Sequence, residues 1–432
     1  MQGAGHLREA LNLCLAWYEC PLSSEHITFY LGQIPLGFRL KVSDRIHGVE
    51  YAIRDIITYA RKYQSSGKEI IYLNIGDPVR FDFKTPDHIK RALVDAVMRD
   101  ENYYTDSEGL PELRQAIMEK ESEKGFDVAV DDVVVTNGVS EGLDMTMASI
   151  IDPGAEVLMP GPYYPPYASY TKFYGGKPIE FKLHEDGRPN LEDLRSKITP
   201  QSRALCIISP NNPTGEVFDQ KSLQQLVDIA NEYDLYIICD EIYDKIVFDS
   251  RFTGIGKVAK DAPVILLNGF SKAYLMTGLR CGYICLNSSS QKLGGLREDI
   301  PKLARLRIAA NLPVQIAAVQ ALRGSQAHIS IMVDKLRTRR DYVVKRLNAM
   351  GIQCKVPHGA FYIFPKIETK DRWKDDQHFV IDLLNNTGVL TVHGSGFGST
   401  YGSGHFRIVY LPPEEMLEKA MDKLERFLSI KL

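Results

Sequence analysis

From about residue 50 onward, short apolar runs alternate with amphipathic helical segments, and this pattern constrains the fold more than any other feature. Polar helical segments such as "TPDHIKRALVDAVMRD" and "LPELRQAIMEKESEK" accompany the runs. Six runs read as strands: "DVVVTNG", "EVLMPGP", "ALCIISP", "YIICDE", "VILLNGF" and "GYICLN". Continuous Val, Ile and Leu runs that alternate with helices are typical of a parallel sheet covered on both faces. The sequence therefore predicts an α/β fold with a mostly parallel sheet flanked by helices.

The pattern changes after about residue 320. A long charged helix, "HISIMVDKLRTRRDYVVKRLNAM", precedes a strand, "GAFYIFPKI", a further helix, a glycine-rich loop and a last helix. This order is typical of a smaller α+β domain, which the strand near residue 71 can join. We expect a large domain over 84–318 and a small domain that combines 41–83 with 319–432. Residues 1–40 are interpreted as an extension of uncertain structure, because "ALNLCLAWY" makes a poor signal peptide.

Composition excludes several classes of function. The net charge is −3, which gives no electrostatic reason to expect a nucleic acid or an anionic membrane as partner. No apolar run approaches the roughly 18 residues that a membrane helix needs. The 7 cysteines are odd in number and scattered, without a CxxC pair. We therefore expect a cytoplasmic protein with neither disulfides nor a metal site.

Candidate functional residues follow the predicted strands, where ligands bind in doubly wound sheets. A glycine turn that opens a helix offers free N–H groups and a positive dipole end to a phosphate. Taken alone, each feature also has an ordinary structural interpretation: a glycine and a serine at a helix N-terminus, a simple turn, or a lysine exposed to solvent. The strand ends carry Gly138 to Ser140, then Asn212, then Asp240 with Tyr243, and finally Lys272 followed by Arg280.

Together these groups complement one ligand, pyridoxal phosphate. Its aldehyde suits a lysine amine, and its cationic ring nitrogen suits a buried carboxylate. Its phenolic oxygen suits a tyrosine and an amide, and its phosphate suits a helix N-terminus and an arginine. The corresponding residues are Lys272, Asp240, Tyr243 with Asn212, and Gly138 to Ser140 with Arg280.

From about residue 41 to the C-terminus, the sequence resembles the class I/II aminotransferases of the pyridoxal-phosphate fold-type-I superfamily. Each motif is weak alone, but together and in this order they are very specific. They are "LNIGDP", "NYYTDSEGLPELR", "NGVSEG", "GPYYPPY", "NPTG", "DEIYD", "SKAYLMTGLRCG" and "GHFRIVY". Within the family, the sequence is similar above all to archaeal- and bacterial-type alanine aminotransferases, through "NIGDPVRFDF", "GAFYIFPKIE", "VHGSGFG" and "HFRIVYLPP".

The resemblance implies a role for each matching residue. Lys272 would bond the cofactor and move protons, with Asp240 and Tyr243 completing the catalytic set. Tyr104 would reach the phosphate from a neighbouring subunit, which implies a homodimer with shared active sites. The other cofactor ligands would be Val139, Ser140, Tyr164, Asn212, Ser271 and Arg280. Substrate would be bound by Arg407, which matches the arginine that grips the α-carboxylate, with Gly76 and Asn212.

Two positions depart from the family pattern, and one role stays open. Gly269 stands where many members have a phosphate-binding serine, and Cys281 stands where an aliphatic residue is usual. "GSGFG" at 394–398 is not a nucleotide-binding fingerprint, because no helix pattern follows it, and we interpret it as a mobile loop over the substrate. The distal carboxylate of glutamate has four candidate partners, Arg45, Arg54, Arg305 and Arg307.

The implied function is amino transfer from an L-amino acid, above all alanine, to 2-oxoglutarate, giving pyruvate and glutamate. An aspartate or aromatic aminotransferase is the nearest alternative, and a lyase of the same fold would keep the same residues. Some members of this fold are sensor domains of transcription regulators. The N-terminal extension is too short and too weakly basic for the DNA-binding unit that those proteins carry.

Overall fold

The computed structural model describes residues 42–49, 51–65, 67–249, 251–369 and 372–429. Segment 1–40, interpreted above as an extension, lies outside the described residues. From Gly48 onward the described residues belong to one compact unit. Asp44–Gly48 forms a 3-10 turn.

Seven strands form the main sheet in the order β2-β8-β7-β6-β5-β3-β4. β8 is antiparallel to both neighbours, and all other pairs are parallel, which confirms the predicted mostly parallel sheet. The strands are β2 (Val133–Thr136), β3 (Glu156–Gly161), β4 (Lys177–Lys182), β5 (Ser202–Ile208), β6 (Tyr236–Asp240), β7 (Val264–Gly269) and β8 (Gly282–Leu286).

Five short strands form two smaller sheets. β1 (Ile71–Tyr72) pairs in parallel with β10 (Val389–Leu390), so the strand near residue 71 does join the C-terminal part. β11 (Val392–His393) and β9 (Tyr362–Ile363) flank β12 (Phe406–Val409) in antiparallel pairs.

The α-helices number thirteen among the described residues. They are α1 (Ala52–Gln64), α2 (Asp87–Met98), α3 (Pro111–Glu123), α4 (Val139–Ile150), α5 (Pro165–Phe173), α6 (Leu191–Ser196), α7 (Gln220–Glu232), α8 (Gly256–Ala259), α9 (Gly294–Leu306), α10 (Leu312–Arg323), α11 (Ala327–Ala349), α12 (Asp376–Thr387) and α13 (Glu414–Ser429). Within the described ranges, no helix combines the length and apolar composition that crossing a bilayer requires.

Both faces of the main sheet are buried, which explains why its strands are continuous apolar runs. Along β5, Leu205 and Ile207 belong to one hydrophobic cluster, whereas Cys206 and Ile208 belong to another. Successive side chains of a strand point to opposite faces, so each cluster covers one face. A third cluster joins α1, the small sheets and α11 to α13. The boundaries of the two predicted domains stay a prediction.

Candidate active site

Lys272 lies just beyond β7, and its amine faces the segment that follows β1. Its Nζ donates to the carbonyl oxygen of Gly76 at 2.7 Å. Burial lowers the pKa of Lys272 to about 8; Asp77 opposes this shift, and the positive charge of Arg280 adds to it. The amine is therefore partly neutral near physiological pH, as a nucleophile or a general base requires.

Asp240 ends β6, the strand next to β7. Its Oδ2 accepts from the Tyr167 hydroxyl at 2.9 Å, and its Oδ1 accepts from the backbone N–H of Ile242 at 2.9 Å. Burial raises the pKa of Asp240 to about 6, although both hydrogen bonds act to lower it. A cationic group placed against this carboxylate would favour its ionised form. The sequence did not single out Tyr167, although it belongs to the "GPYYPPY" motif.

Glu241, the next acid in the chain, serves a different part of the molecule. Its carboxylate pairs with Lys124 at 2.5 Å and accepts from the N–H of Ile255 at 2.7 Å. Lys124 also contacts Asp244 at 3.1 Å, and Asp244 pairs with Lys120 at 2.9 Å. Asp240 and Glu241 thus engage separate partners rather than forming a carboxylate pair.

Gly138, which immediately precedes α4, packs against the Arg280 side chain, and this contact requires a residue without a Cβ. Gly138 has a φ of +85°, and a Cβ there would collide with the Arg280 guanidinium. Arg280 Nη1 donates to the Thr277 carbonyl at 2.9 Å and to Ser271 Oγ at 3.4 Å. Ser140, next to Val139 in the first turn of α4, is exposed. Exposed donors at a helix N-terminus beside an arginine suit a phosphate.

The two departures from the family pattern have structural reasons. A Cβ at Gly269 would lie 2.8 Å from the Gly282 Cα and 2.9 Å from the Cys281 carbonyl oxygen, so no side chain fits without movement. Cys281 is buried, and burial raises the pKa of its thiol to about 12. The thiol therefore stays protonated and acts as a small apolar group.

Arg407, on β12, is a buried cation. It is only 1% exposed, yet it forms no ion pair with any described residue. One nitrogen donates to Asn212 Oδ1 at 2.9 Å and another to the Asn74 carbonyl, while Nε has no hydrogen-bond partner. The guanidinium lies 4.6 Å from the ring centre of Tyr362 and 4.8 Å from that of Phe397. A buried charge without a counter-ion is costly, so this geometry suits a carboxylate ligand.

Two tyrosine pairs surround these groups. The hydroxyls of Tyr243 and Tyr362 lie 2.6 Å apart, and those of Tyr164 and Tyr51 lie 2.7 Å apart. Burial raises the pKa of Tyr243 well above its ordinary value, so it remains a neutral hydrogen-bonding group. A Cβ at Gly76 would collide with the Tyr362 hydroxyl. Sequence reasoning missed Tyr51 and Tyr362; for Tyr362 the available signal was the "GAFYIFPKIE" motif.

Tyr104 differs from the other predicted ligands, because its side chain is 79% exposed. It forms no side-chain hydrogen bond with the described residues of its own subunit. The described part of the subunit therefore offers the Tyr104 side chain no hydrogen-bond partner, and its predicted contact with a second subunit stays a prediction.

The structure separates the candidate arginines. Arg305 Nε lies 3.9 Å from Glu108, and Arg307 Nε lies 3.4 Å from Glu141. Arg54, in the first turn of α1, is exposed and has no acidic partner among the described residues. It follows Tyr51 by three residues, and Tyr51 contacts Tyr164. Arg45 lies in the 3-10 turn that precedes the compact unit.

Known proteins of one family match this chain over most of its length. The model of the family "Aminotransferase class I and II" matches residues 68–424. The chain belongs to this family. It is 39% identical to the glutamate-pyruvate aminotransferase AlaA of Haemophilus influenzae over 398 residues, which cover 90% of this chain and 98% of that protein. A probable aspartate aminotransferase of Methanocaldococcus jannaschii is 36% identical, with 86% of this chain and 95% of that protein covered.

A solved structure extends the similarity to three dimensions. The alanine aminotransferase from Pyrococcus furiosus superposes with a TM-score of 0.87 and 49% identity, covering 90% of this chain and 99% of that one. The chain is therefore an aminotransferase with the fold-type-I architecture. The roles of its individual residues stay predictions, to which the geometry above gives physical reasons.

Proposed function

We propose that this aminotransferase uses pyridoxal phosphate to transfer the amino group of L-alanine to 2-oxoglutarate, giving pyruvate and glutamate. The observation that carries the proposal is the buried Arg407, which has no acidic partner among the described residues and whose positive charge helps to lower the pKa of Lys272. An amino-acid substrate requires a reactive lysine near its amino group and an arginine without an acidic partner near its α-carboxylate. The names of the relatives support alanine and glutamate as the amino donors.

The residues present fit pyridoxal phosphate. Gly138, Ser140, Ser271 and Arg280 would hold its phosphate, with the backbone of Val139. Tyr243 and Asn212 would bind the ring hydroxyl, and Tyr164 would stack on the ring. When bound, the cofactor supplies an aldehyde that reacts with amines and a protonated ring that stabilises negative charge at the substrate α-carbon.

The chain's own groups then have defined tasks. Lys272 Nζ would take the proton from the α-carbon of the amino acid and deliver it to the carbon that carries the cofactor's aldehyde group, and would make the reverse transfer when the oxo acid is converted; its lowered pKa favours this role. Asp240 would hold the proton on the ring nitrogen. Arg407 grips the α-carboxylate through two nitrogens, with Asn212 and the backbone of Gly76 beside it. These contacts fix the orientation of the α-carbon toward the lysine.

We also propose that the enzyme is a homodimer with shared sites. Tyr104 is 79% exposed, and other large apolar side chains are exposed nearby in sequence or on α9, including Tyr103, Met98 and Leu306. Exposed apolar side chains of this kind are typical of an association surface.

We further propose a cytoplasmic location. The five described cysteines are free thiols, which supports it.

A two-step transfer assay tests the proposed function. Cofactor-loaded protein mixed with alanine alone should release about one pyruvate per subunit and then stop. Addition of 2-oxoglutarate should restart the reaction and form glutamate, without ammonia at any stage. Continuous ammonia release from alanine would instead indicate a lyase. Lys272→Ala is the control and should give neither step.

A further inference from the structure

The glycine-rich loop, residues 394–404, is folded tightly between β11 and β12. Gly394 N donates to the His405 carbonyl at 2.8 Å, and Gly402 N donates to the Gly398 carbonyl at 2.9 Å. A Cβ at Gly394 or Gly402 would collide with the carbonyl oxygen of the other residue. The sequence analysis interpreted 394–398 as a mobile loop over the substrate, and that interpretation stays a prediction.

A carboxylate from the main sheet contacts the loop. Glu180, on the edge strand β4, faces the backbone of 399–401; burial raises the pKa of its carboxyl, and the N–H groups of these residues oppose that rise. The Tyr401 N–H lies 3.4 Å from Oε2. Gly398 has a φ of +118°, and a Cβ there would lie 2.8 Å from Glu180 Oε2. The loop backbone is therefore shaped around this one side chain, as backbone N–H groups are around bound anions.

Lys197 reinforces the same attachment. Its Nζ donates to the Glu180 carbonyl at 2.6 Å and to the Tyr401 hydroxyl at 3.0 Å. It also pairs with Asp193 at 2.8 Å. The loop is thus tied both to the backbone and to the side chain of β4.

The other end of the loop reaches the substrate-binding arginine. The centre of the Phe397 ring lies 4.8 Å from the Arg407 guanidinium carbon, and the centre of the Tyr362 ring lies 4.6 Å from it. The carbonyl of Phe397 accepts from Tyr163 N at 2.9 Å. Contact with two aromatic rings restricts the orientation of the planar guanidinium and therefore the direction of its donor edge.

We propose that Glu180 is a positioning residue for substrate binding: by holding the N–H groups of 399–401, it places Phe397 against Arg407. The proposal rests on the function proposed above, because it takes Arg407 as the ligand of the α-carboxylate. Glu180 itself touches neither cofactor nor substrate. Its removal affects the binding of amino and oxo acids and leaves the chemical step intact.

Hydrogen exchange tests the attachment without any catalytic readout. In the purified full-length protein, Glu180→Ala should speed amide exchange across 399–401 by about tenfold or more, and Glu180→Gln, which keeps one acceptor oxygen, should give an intermediate rate. Glu185→Ala is the matched control, because Glu185 is exposed nearby and forms no side-chain hydrogen bond or ion pair with the described residues. Unchanged exchange in Glu180→Ala would overturn the proposal even if the protein proves to have another activity.

Kinetics then test the positioning. Glu180→Ala should raise the KM for alanine and for 2-oxoglutarate by about tenfold each, keep kcat within about twofold and leave the affinity of the apo-protein for pyridoxal phosphate unchanged. Phe397→Leu should produce the same pattern. The double variant should show no further rise beyond the larger single effect, because both changes act through one contact.

Several results would contradict the positioning role. Faster loop exchange with an unchanged KM would mean that Glu180 holds the loop without affecting Arg407. Additive effects of the two substitutions would mean that Glu180 does not act through Phe397. A fall in kcat as large as the rise in KM, together with loss of the cofactor, would indicate a general structural defect.

Discussion

Lys272 must be neutral before its amine can attack an aldehyde, and its surroundings supply that condition. Burial lowers the pKa of Lys272 to about 8, while Asp77 opposes the shift. Below that pH the amine is charged and unreactive, and above it the neutral form dominates. The neutral amine of Lys272 is therefore abundant at a much lower pH than the neutral amine of an ordinary lysine.

This environment predicts the pH dependence of labelling at Lys272. In the apo-protein, the initial rate of reaction with pyridoxal phosphate, trapped by borohydride and located by peptide mapping, should reach half its maximum near pH 8. Lys272→Ala should remove the labelled peptide. A rate that rises only above pH 10 would show that the amine is not activated by its surroundings.

Arg407 is predicted to bind the α-carboxylate that all the amino and oxo acid substrates share. Arg407→Lys keeps the charge but loses the planar fork, so the KM of every amino and oxo acid should rise together. A loss of about 3 kcal/mol, or roughly a hundredfold, is in the range of broken buried pairs. Steady-state kinetics with alanine, glutamate and their oxo acids measures the effect. Selective loss of the cofactor instead would assign Arg407 to the phosphate.

Arg54 is our first candidate for the distal carboxylate, because Arg305 and Arg307 already face Glu108 and Glu141, whereas Arg54 follows Tyr51 in the first turn of α1. Arg45 is the second candidate. Arg54→Leu should raise the KM of glutamate and 2-oxoglutarate by about tenfold and leave alanine and pyruvate unchanged. Arg305→Leu is the matched control. If Arg305→Leu gave this pattern and Arg54→Leu did not, the assignment would be wrong.

At the scale of elements, the turn from β2 into α4 forms half of the proposed phosphate site. Gly138→Ala strains a positive φ and pushes a methyl group against Arg280. The affinity of the apo-protein for pyridoxal phosphate should fall by at least about tenfold, measured by fluorescence titration. Gly154→Ala has the same strain at φ +92° but nothing within 4 Å, so it should lose stability without losing cofactor affinity. Equal affinities in the two variants would argue against the turn as a phosphate site.

The main-sheet elements differ in how well the sequence predicts them. The five inner strands and the buried edge strand β2 are continuous apolar runs because both faces of the sheet are covered, and all six were predicted. β4, "KPIEFK", was missed, because it is an edge strand with alternating polar residues. In the small sheets, β1 and β9 lie within predicted strands, whereas β10 and β11, of two residues each, are too short for a periodic signal.

The site was predictable where residues lie at strand ends and less so where distant segments meet. Asp240 and Lys272 follow apolar runs, so local pattern was enough to find them. Tyr362 contacts Tyr243 across 119 positions of sequence, and Tyr167 contacts Asp240 across 73. No local periodicity encodes such pairs, because they depend on how a small sheet, for Tyr362, and α5, for Tyr167, pack against the main sheet.

At the scale of the whole molecule, the exposed Tyr104 predicts that sites are completed between subunits. Inactive Tyr104→Ala and Lys272→Ala proteins should regain activity when their subunits are mixed and exchanged. Each mixed dimer then has one intact site and one site that lacks both residues. With exchange verified by native mass spectrometry, no recovery would count against shared sites.

The central claim is that the enzyme transfers the amino group of alanine to 2-oxoglutarate. The most direct measurement is kcat/KM for a panel of amino donors and oxo acceptors with the purified, cofactor-loaded protein. We expect alanine with 2-oxoglutarate, and glutamate with pyruvate, to exceed aspartate and aromatic donors by about tenfold or more, with no activity in Lys272→Ala. Preference for aspartate or an aromatic amino acid, or ammonia as the product, would contradict the account.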